Sequence, residues 1–250
     1  MIEFSHVSYA YGRRQVLKDI NFSVRPHTIT ALLGRNGCGK STLVSCLAGQ
    51  LNYLGNITLN GREVKSLTEA ERSRTISVLP QCPAVPDISV RELISFGRYP
   101  YLGWQKKLDE QNKRIVDRAI TDTGLTALAD ESVKNLSGGE RQRAFFAMIL
   151  ANDSRITVLD EPTTYMDIDH QKQLMDFTVE LKRRKKTVII VTHDISAALK
   201  YADSLAVIDS GCIAFQGDRD TCIKSRILEK TFGRDQIVFE RNGRKYVFFE

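Results

Sequence analysis

Nowhere does the sequence hold the roughly 20 consecutive apolar residues that a membrane-spanning helix requires. Its start, MIEFSHVSYAYGRR, lacks the basic opening and apolar stretch of a secretory signal, so a soluble chain kept in the cytosol is expected. The five cysteines, Cys38, Cys46, Cys82, Cys212 and Cys222, fall without a C-x-x-C pair or neighbouring histidines. That pattern argues against a zinc site or a disulfide framework and for reduced thiols in a reducing compartment. Repeats and low-complexity stretches are missing too. What remains is ordinary globular composition: 250 residues, 42% hydrophobic and 26% charged, enough for one well-cored α/β domain or two small ones. A net charge of +6 suits nucleic acid, an anionic membrane surface or a phosphate-rich ligand, and does not choose among them. The basic run Lys182–Lys186 closes a helical pattern, where its cations complement the helix dipole.

Residues near the N-terminus alternate apolar and polar, as at Ile20, Phe22 and Val24 and again at Ile57 and Leu59. This period of two predicts half-buried strands in a small antiparallel layer. Three further runs, Thr28–Leu33, Ile156–Leu159 and Thr187–Thr192, are almost continuously apolar and each leads into a loop and a helix-like stretch, the profile of parallel strands covered on both faces. Over about residues 84 to 152 helical periodicity takes over, with Leu93, Ile94 and Gly97 on one face and Ile115, Ala119 and Leu125 further on. Pro83, Pro86 and Pro100 are expected to break the backbone at the entrance of this insertion. Near the end, IVFERNGRKYVFF reads as a hairpin turning at Asn242-Gly243.

The segment Gly34-Arg35-Asn36-Gly37-Cys38-Gly39-Lys40-Ser41 satisfies G-x-x-x-x-G-K-[ST], follows a buried strand and opens a helix that begins with Ser41 and Thr42. Glycines let such a loop wrap closely with its N–H groups pointing inward, and the helix start favours anions. Lys40 supplies a cation for the outer phosphates, and the Ser41 hydroxyl a ligand for Mg²⁺. Many phosphate-binding proteins share this loop, so hydrolysis needs further parts. Asp160 and Glu161 follow the apolar strand Ile156–Leu159, at the edge where α/β sheets bind ligands. Strand alternation should send the two carboxylates opposite ways, Asp160 towards Mg²⁺ and Glu161 towards the water that attacks the γ-phosphate.

Leu136-Ser137-Gly138-Gly139-Glu140, continuing Arg141-Gln142-Arg143, resembles the signature motif of the ATP-binding cassette (ABC) family. A Ser-Gly-Gly turn opening a helix offers bare N–H groups, a second anion site built on the same rule as the first. The resemblance implies that two copies pair head to tail, so that Ser137, Gly138 and Gly139 close over the partner's ATP. It also implies an α/β fold: a P-loop NTPase (RecA-like) core with an N-terminal antiparallel β-subdomain and a helical subdomain insertion. One nucleotide-binding domain would then cover 1–250, with the core and β-subdomain over 1–83 and 153–232, the helical part over 84–152 and a hairpin over 233–250. By position, Tyr11 resembles the aromatic that stacks on adenine, with Tyr9 as the alternative, and Gln81 the Q-loop glutamine that reaches Mg²⁺ and the attacking water. Tyr165-Met166-Asp167 resembles the D-loop, with Met where Leu is usual, and His193 resembles the switch histidine at the γ-phosphate.

Finer features narrow the family. Ser89-Val90-Arg91-Glu92-Leu93, Phe96-Gly97-Arg98-Tyr99-Pro100 and Thr163-Thr164-Tyr165-Met166-Asp167-Ile168-Asp169-His170-Gln171 are similar to the branch serving iron-siderophore, haem and cobalamin uptake. That branch implies ATP and Mg²⁺ as ligands, integral membrane permease subunits as partners, indirect work with a substrate-binding protein, and a peripheral place on the cytoplasmic face of a prokaryotic membrane. Residues 82 to 104 would form the surface that grips the permease, though Arg98, Tyr99 and Trp104 could equally be ordinary packing. A soluble cassette ATPase acting on nucleic acid or ribosomes would carry the same motifs, but usually with coiled-coil insertions or tandem cassettes, so no nucleic-acid partner is expected. A P-loop kinase would not explain LSGGE.

Overall fold

A computed structural model of the chain describes residues 1–81, 83–102, 107–163, 166–241 and 244–250. Contacts within it cluster in two compact units, Met1–Ser66 with Thr187–Glu250, and Leu67–Lys186.

In the first unit the alternating N-terminal segments pair as expected. The antiparallel sheet runs Arg14–Val24, Ile2–Tyr11, Leu54–Leu59, Arg62–Glu63. One face buries Ile2, Phe4, Ile20, Phe22, Val24, Ile57 and Leu59, and the rings of Phe4 and Phe22 stack with centroids 4.3 Å apart. Beside them in the same unit lie the continuously apolar strands. Ile29–Leu33 is parallel to Thr187–Val191 on one side and to Ser204–Asp209 on the other, and Cys212–Gly217 adds an antiparallel edge. All five residues of Ile29–Leu33 and of Thr187–Val191 are buried. Each large apolar side chain so covered contributes about 1.5–3 kcal/mol. Ala31, Leu33, Leu205 and Val207 share one cluster with Leu199, Ile223, Leu228 and Val247. Val247 belongs to the terminal hairpin of Gln236–Arg241 and Arg244–Phe249, whose turn, Asn242-Gly243, lies outside the described residues.

The second unit holds the parallel pair Ile76–Leu79 and Ile156–Asp160 together with the helices Glu69–Thr75, Val90–Ser95, Glu110–Asp122, Gly138–Asn152 and Ile168–Arg183. These two strands flank the helical stretch and bond to each other, so the contact boundaries fall at 66/67 and 186/187, outside the 84–152 segment. The helix Gly138–Asn152 buries Ala144, Phe145, Phe146, Ala147, Ile149 and Ala151. In the helix Glu110–Asp122 the buried stripe is Asn112, Val116, Ala119 and Ile120. Ile115, taken from periodicity as a core position, is only half-buried, because the stripe is shifted by one residue.

Pro100 does not break the chain. It sits inside a 3₁₀ turn, Phe96–Tyr101, that follows the helix Val90–Ser95 directly, since a fixed φ suits such a turn and a missing N–H costs little there. Arg98 anchors this turn. It is 7% exposed, donates from Nε to Asn112 Oδ1 at 2.7 Å and from Nη1 to the Ala151 carbonyl at 2.7 Å, and lies 4.0 Å from the Tyr101 ring centre. Burial pushes its pKa down. Of the open readings for this stretch, Arg98 is therefore packing, whereas Phe96 and Tyr99 are exposed with ring centroids 4.8 Å apart. Trp104 lies outside the described residues. Among the described residues no helix is long and apolar enough to cross a membrane.

Candidate functional site

The buried strand Ile29–Leu33 delivers the chain into the glycine-rich loop, and the helix Lys40–Leu47 begins straight after it. Lys40 folds back into the loop: it is 6% exposed, and Nζ donates to the carbonyls of Gly34 at 2.8 Å and Arg35 at 3.1 Å. Gly39 caps the helix at φ 111°, where a methyl would stand 2.8 Å from Leu17 Cδ2 and 3.2 Å from the Val16 carbonyl. A methyl on Gly34 would run into the Ile208 carbonyl and the Cys38 sulfur. Side chains here would thus fill the cradle that the sequence assigned to phosphate. Asn36, Gly37 and Ser41 are exposed on it, and Cys38 and Thr42 are half-buried. Burial pushes the Cys38 thiol up, with Lys40 opposing, so this cysteine stays a thiol.

Two more residues singled out in the sequence lie in this unit. Tyr11 ends its strand 53% exposed, its ring nearly perpendicular to that of Tyr9 with centroids 4.9 Å apart. His193 is exposed just beyond the strand Thr187–Val191, and the next residue, Asp194, caps the helix Ile195–Tyr201 by accepting from the Ala197 N–H at 2.9 Å. Val16, which periodicity had not singled out, borders the loop: its side chain would be 3.4 Å from a methyl on Gly39.

In the second unit Asp160 is the last residue of its strand, 5% exposed. Glu161 departs from the expected alternation, since the strand has ended and its backbone is left-handed, φ 48°. That conformation costs a non-glycine residue about 1–2 kcal/mol. Gln81 lies 80 residues away in sequence, yet its Nε2–H donates to Glu161 Oε2 at 2.8 Å.

The signature turn is a capping box. Ser137 Oγ accepts from the Glu140 N–H at 3.4 Å, and Glu140 Oε2 accepts from the Ser137 N–H at 2.9 Å and its hydroxyl at 2.7 Å. These bonds hold the Glu140 carboxyl below the usual range. The expected bare donors are thereby narrowed: the box uses the N–H groups of Ser137 and Glu140, and Gly138 and Gly139 present theirs ahead of the first helical turn. In the D-loop stretch Asp167 caps the helix Ile168–Arg183, accepting from the His170 N–H at 2.9 Å, with His170 Nδ1 2.7 Å away. Gln171 Nε2 donates to the Met166 carbonyl at 2.9 Å. Thr164 and Tyr165 lie outside the described residues, as does Cys82. Gln142, the uncharged residue between Arg141 and Arg143, was quoted with the signature but given no role; it is buried and donates to the Pro162 carbonyl at 3.1 Å.

The groups present fit a magnesium nucleotide. Within the first unit the cradle excludes side chains and Ser41 offers a hydroxyl; within the second, the Asp160 carboxylate and the carbonyl of Gln81, whose N–H is turned to Glu161, are hard oxygens of the kind that Mg²⁺ takes beside phosphate.

A family model described as ABC transporter matches residues 17–164. The petrobactin import ATP-binding protein FpuD of Bacillus anthracis is 36% identical over 234 residues, covering 92% of this chain and 86% of that protein. The ferric enterobactin transport ATP-binding protein FepC of Escherichia coli K12 is 37% identical over 237 residues, covering 94% and 88%. Among solved structures, a dimeric ATP-binding cassette in a post-hydrolysis state with ADP and phosphate superposes with a TM-score of 0.79 at 21% identity, covering 88% of this chain and 99% of that one, and so shares the fold. A phosphate loop, a glutamine-held glutamate and a capped signature turn thus occur on a chain whose matched stretch and near full-length relatives agree, and the chain belongs to the ABC transporter family.

Proposed function

We propose that this chain is the ATP-hydrolysing subunit of a membrane importer for an iron-siderophore, haem, cobalamin or related metal chelate. The observation that carries the ATPase part is the 2.8 Å bond between Gln81 and Glu161, which brings two motifs remote in sequence onto one carboxylate. The cargo class rests on relatives whose names specify petrobactin import and ferric enterobactin transport, a reading that favours a transporter over a nucleic-acid ATPase.

In this reading Tyr11 stacks on adenine, the N–H groups from Gly34 to Thr42 hold the phosphates, and Lys40 neutralises their charge. Ser41, Asp160 and Gln81 would each offer an oxygen to Mg²⁺, which when bound would supply positive charge to offset that of the phosphates. Glu161 accepts a proton from the attacking water, and His193 reads the γ-phosphate. Ser137, Gly138, Gly139 and Asp167 serve the nucleotide of a second copy, so ATP clamps a head-to-tail homodimer and hydrolysis releases it. Permease subunits receive the motion at the surface carrying Phe96 and Tyr99, a substrate-binding protein acts on the far side, and the subunit sits peripherally on the cytoplasmic face.

Glu161→Gln tests the chemistry: it should still dimerise with ATP, by light scattering, while turnover falls about 100-fold or more. Near-normal turnover would remove Glu161 from its role. For cargo, vesicles carrying the neighbouring permease and this chain should take up labelled ferric siderophore, haem or cobalamin with ATP; failure with all three refutes the chelate reading.

A further inference from the structure

The left-handed Glu161 is a place where the chain must be held, because nothing intrinsic to glutamate favours φ 48°. Gln81 holds the carboxylate end. The backbone is held from elsewhere. Gln142 lies on the signature helix, 9% exposed, and its Nε2–H donates at 3.1 Å to the carbonyl of Pro162, the residue directly after Glu161. That helix is itself immobilised by the buried Phe145, Phe146 and Ile149. The segment after Glu161 is tied again further on: Gln171 Nε2 donates to the carbonyls of Met166 at 2.9 Å and Thr163 at 3.4 Å. Asp167 holds His170, whose Nδ1 would be 3.9 Å from a methyl on Gly139, at the start of the same signature helix.

We propose that Gln142 is a positioning residue for Glu161, fixing the direction of its carboxylate and making it depend on where the chain's own signature helix stands. This rests on the reading of Glu161 as the water-polarising group. The contact links the two halves of one chain's chemistry. In a head-to-tail pair, the signature helix serves the partner's nucleotide while Glu161 serves its own, and Gln142 joins them inside one subunit.

Two substitutions in the full chain separate positioning from simple packing. Gln142→Met keeps the volume and removes the donor. It should lower kcat about tenfold or more while moving KM for ATP less than about threefold, since the lost effect lies in the transition state. Gln142→Glu presents oxygen to the Pro162 carbonyl when ionised but donates its O–H when protonated. Its kcat relative to wild type should therefore climb as the pH falls from about 8 to about 6, whereas the Gln142→Met ratio stays flat. Should Gln142→Met not fold, the Gln142→Glu profile decides alone. Both variants within about twofold of wild-type kcat, or a Gln142→Glu ratio that does not vary with pH, would overturn the assignment. Glu161→Gln run alongside keeps the two readings apart. If it still turns over ATP, the role of Glu161 fails. If it is inactive while Gln142→Met is not, only Gln142 is misassigned.

Discussion

Replacing Arg98 with methionine removes a buried guanidinium while keeping most of its apolar stem, and the structure sets what is lost. Two acceptors, Asn112 Oδ1 and the Ala151 carbonyl, each lose a charged donor at 2.7 Å, and the Tyr101 ring loses a cation 4.0 Å from its centre. A stranded buried acceptor costs about 1–3 kcal/mol and a desolvated cation over a ring contributes about 1–2 kcal/mol. Against this, burying the guanidinium carries a desolvation penalty of a few kcal/mol that the variant escapes, the same burial that depresses the Arg98 pKa against the opposing charges of Asp153 and Asp109. The net expectation is a loss of about 2–4 kcal/mol, or about 6–12 °C in Tm for a chain of this size. Thermal and urea unfolding followed by circular dichroism measure it. A double-mutant cycle with Asn112→Leu should return a coupling of about 1 kcal/mol or more. A loss under about 1 kcal/mol would refute the reasoning, because desolvation would then cancel the hydrogen bonds.

Two further outcomes follow from the local geometry. Gly39→Ala forces a side chain into φ 111° and against Leu17 and Val16, so it should weaken ATP binding by about tenfold or more, measured by calorimetric titration; unchanged affinity would mean the cradle tolerates a methyl. Asp109 and Asp218 cap their helices by accepting from the N–H groups of Asn112 and Thr221, which holds both carboxyls below the usual range. A carboxyl depressed on folding contributes stability that is complete above its unfolded pKa and disappears as pH falls through the folded one. Asparagine caps equally well without titrating, so Asp109→Asn with Asp218→Asn should flatten the fall of Tm between about pH 5 and about pH 3, and parallel profiles would contradict this.

The features legible in the sequence are those written within a few consecutive residues. The strand, loop and helix around Lys40, the reciprocal Ser137–Glu140 cap and the terminal hairpin each follow from local spacing. What could not be read depends on residues far along the chain. Alternation predicted opposite directions for Asp160 and Glu161 but not a left-handed Glu161, which Gln81 and the Gln142-bound Pro162 fix from 80 and 20 residues away. Arg98 looked as much like a surface group as a core one until Asn112 and Ala151 were seen to enclose it. The helix Glu110–Asp122 turns Val116 rather than Ile115 inward because its neighbours choose the face, and both faces offered an apolar residue.

The lysine folded into the glycine-rich loop bears on how that loop is held together. A buried ammonium with no partner would be a severe penalty in any state without phosphate. Here the Gly34 and Arg35 carbonyls solvate the Lys40 ammonium within the loop itself. The backbone of the loop therefore meets the charge of its own lysine, and the bend of the chain and the burial of that cation are settled by the same two carbonyls.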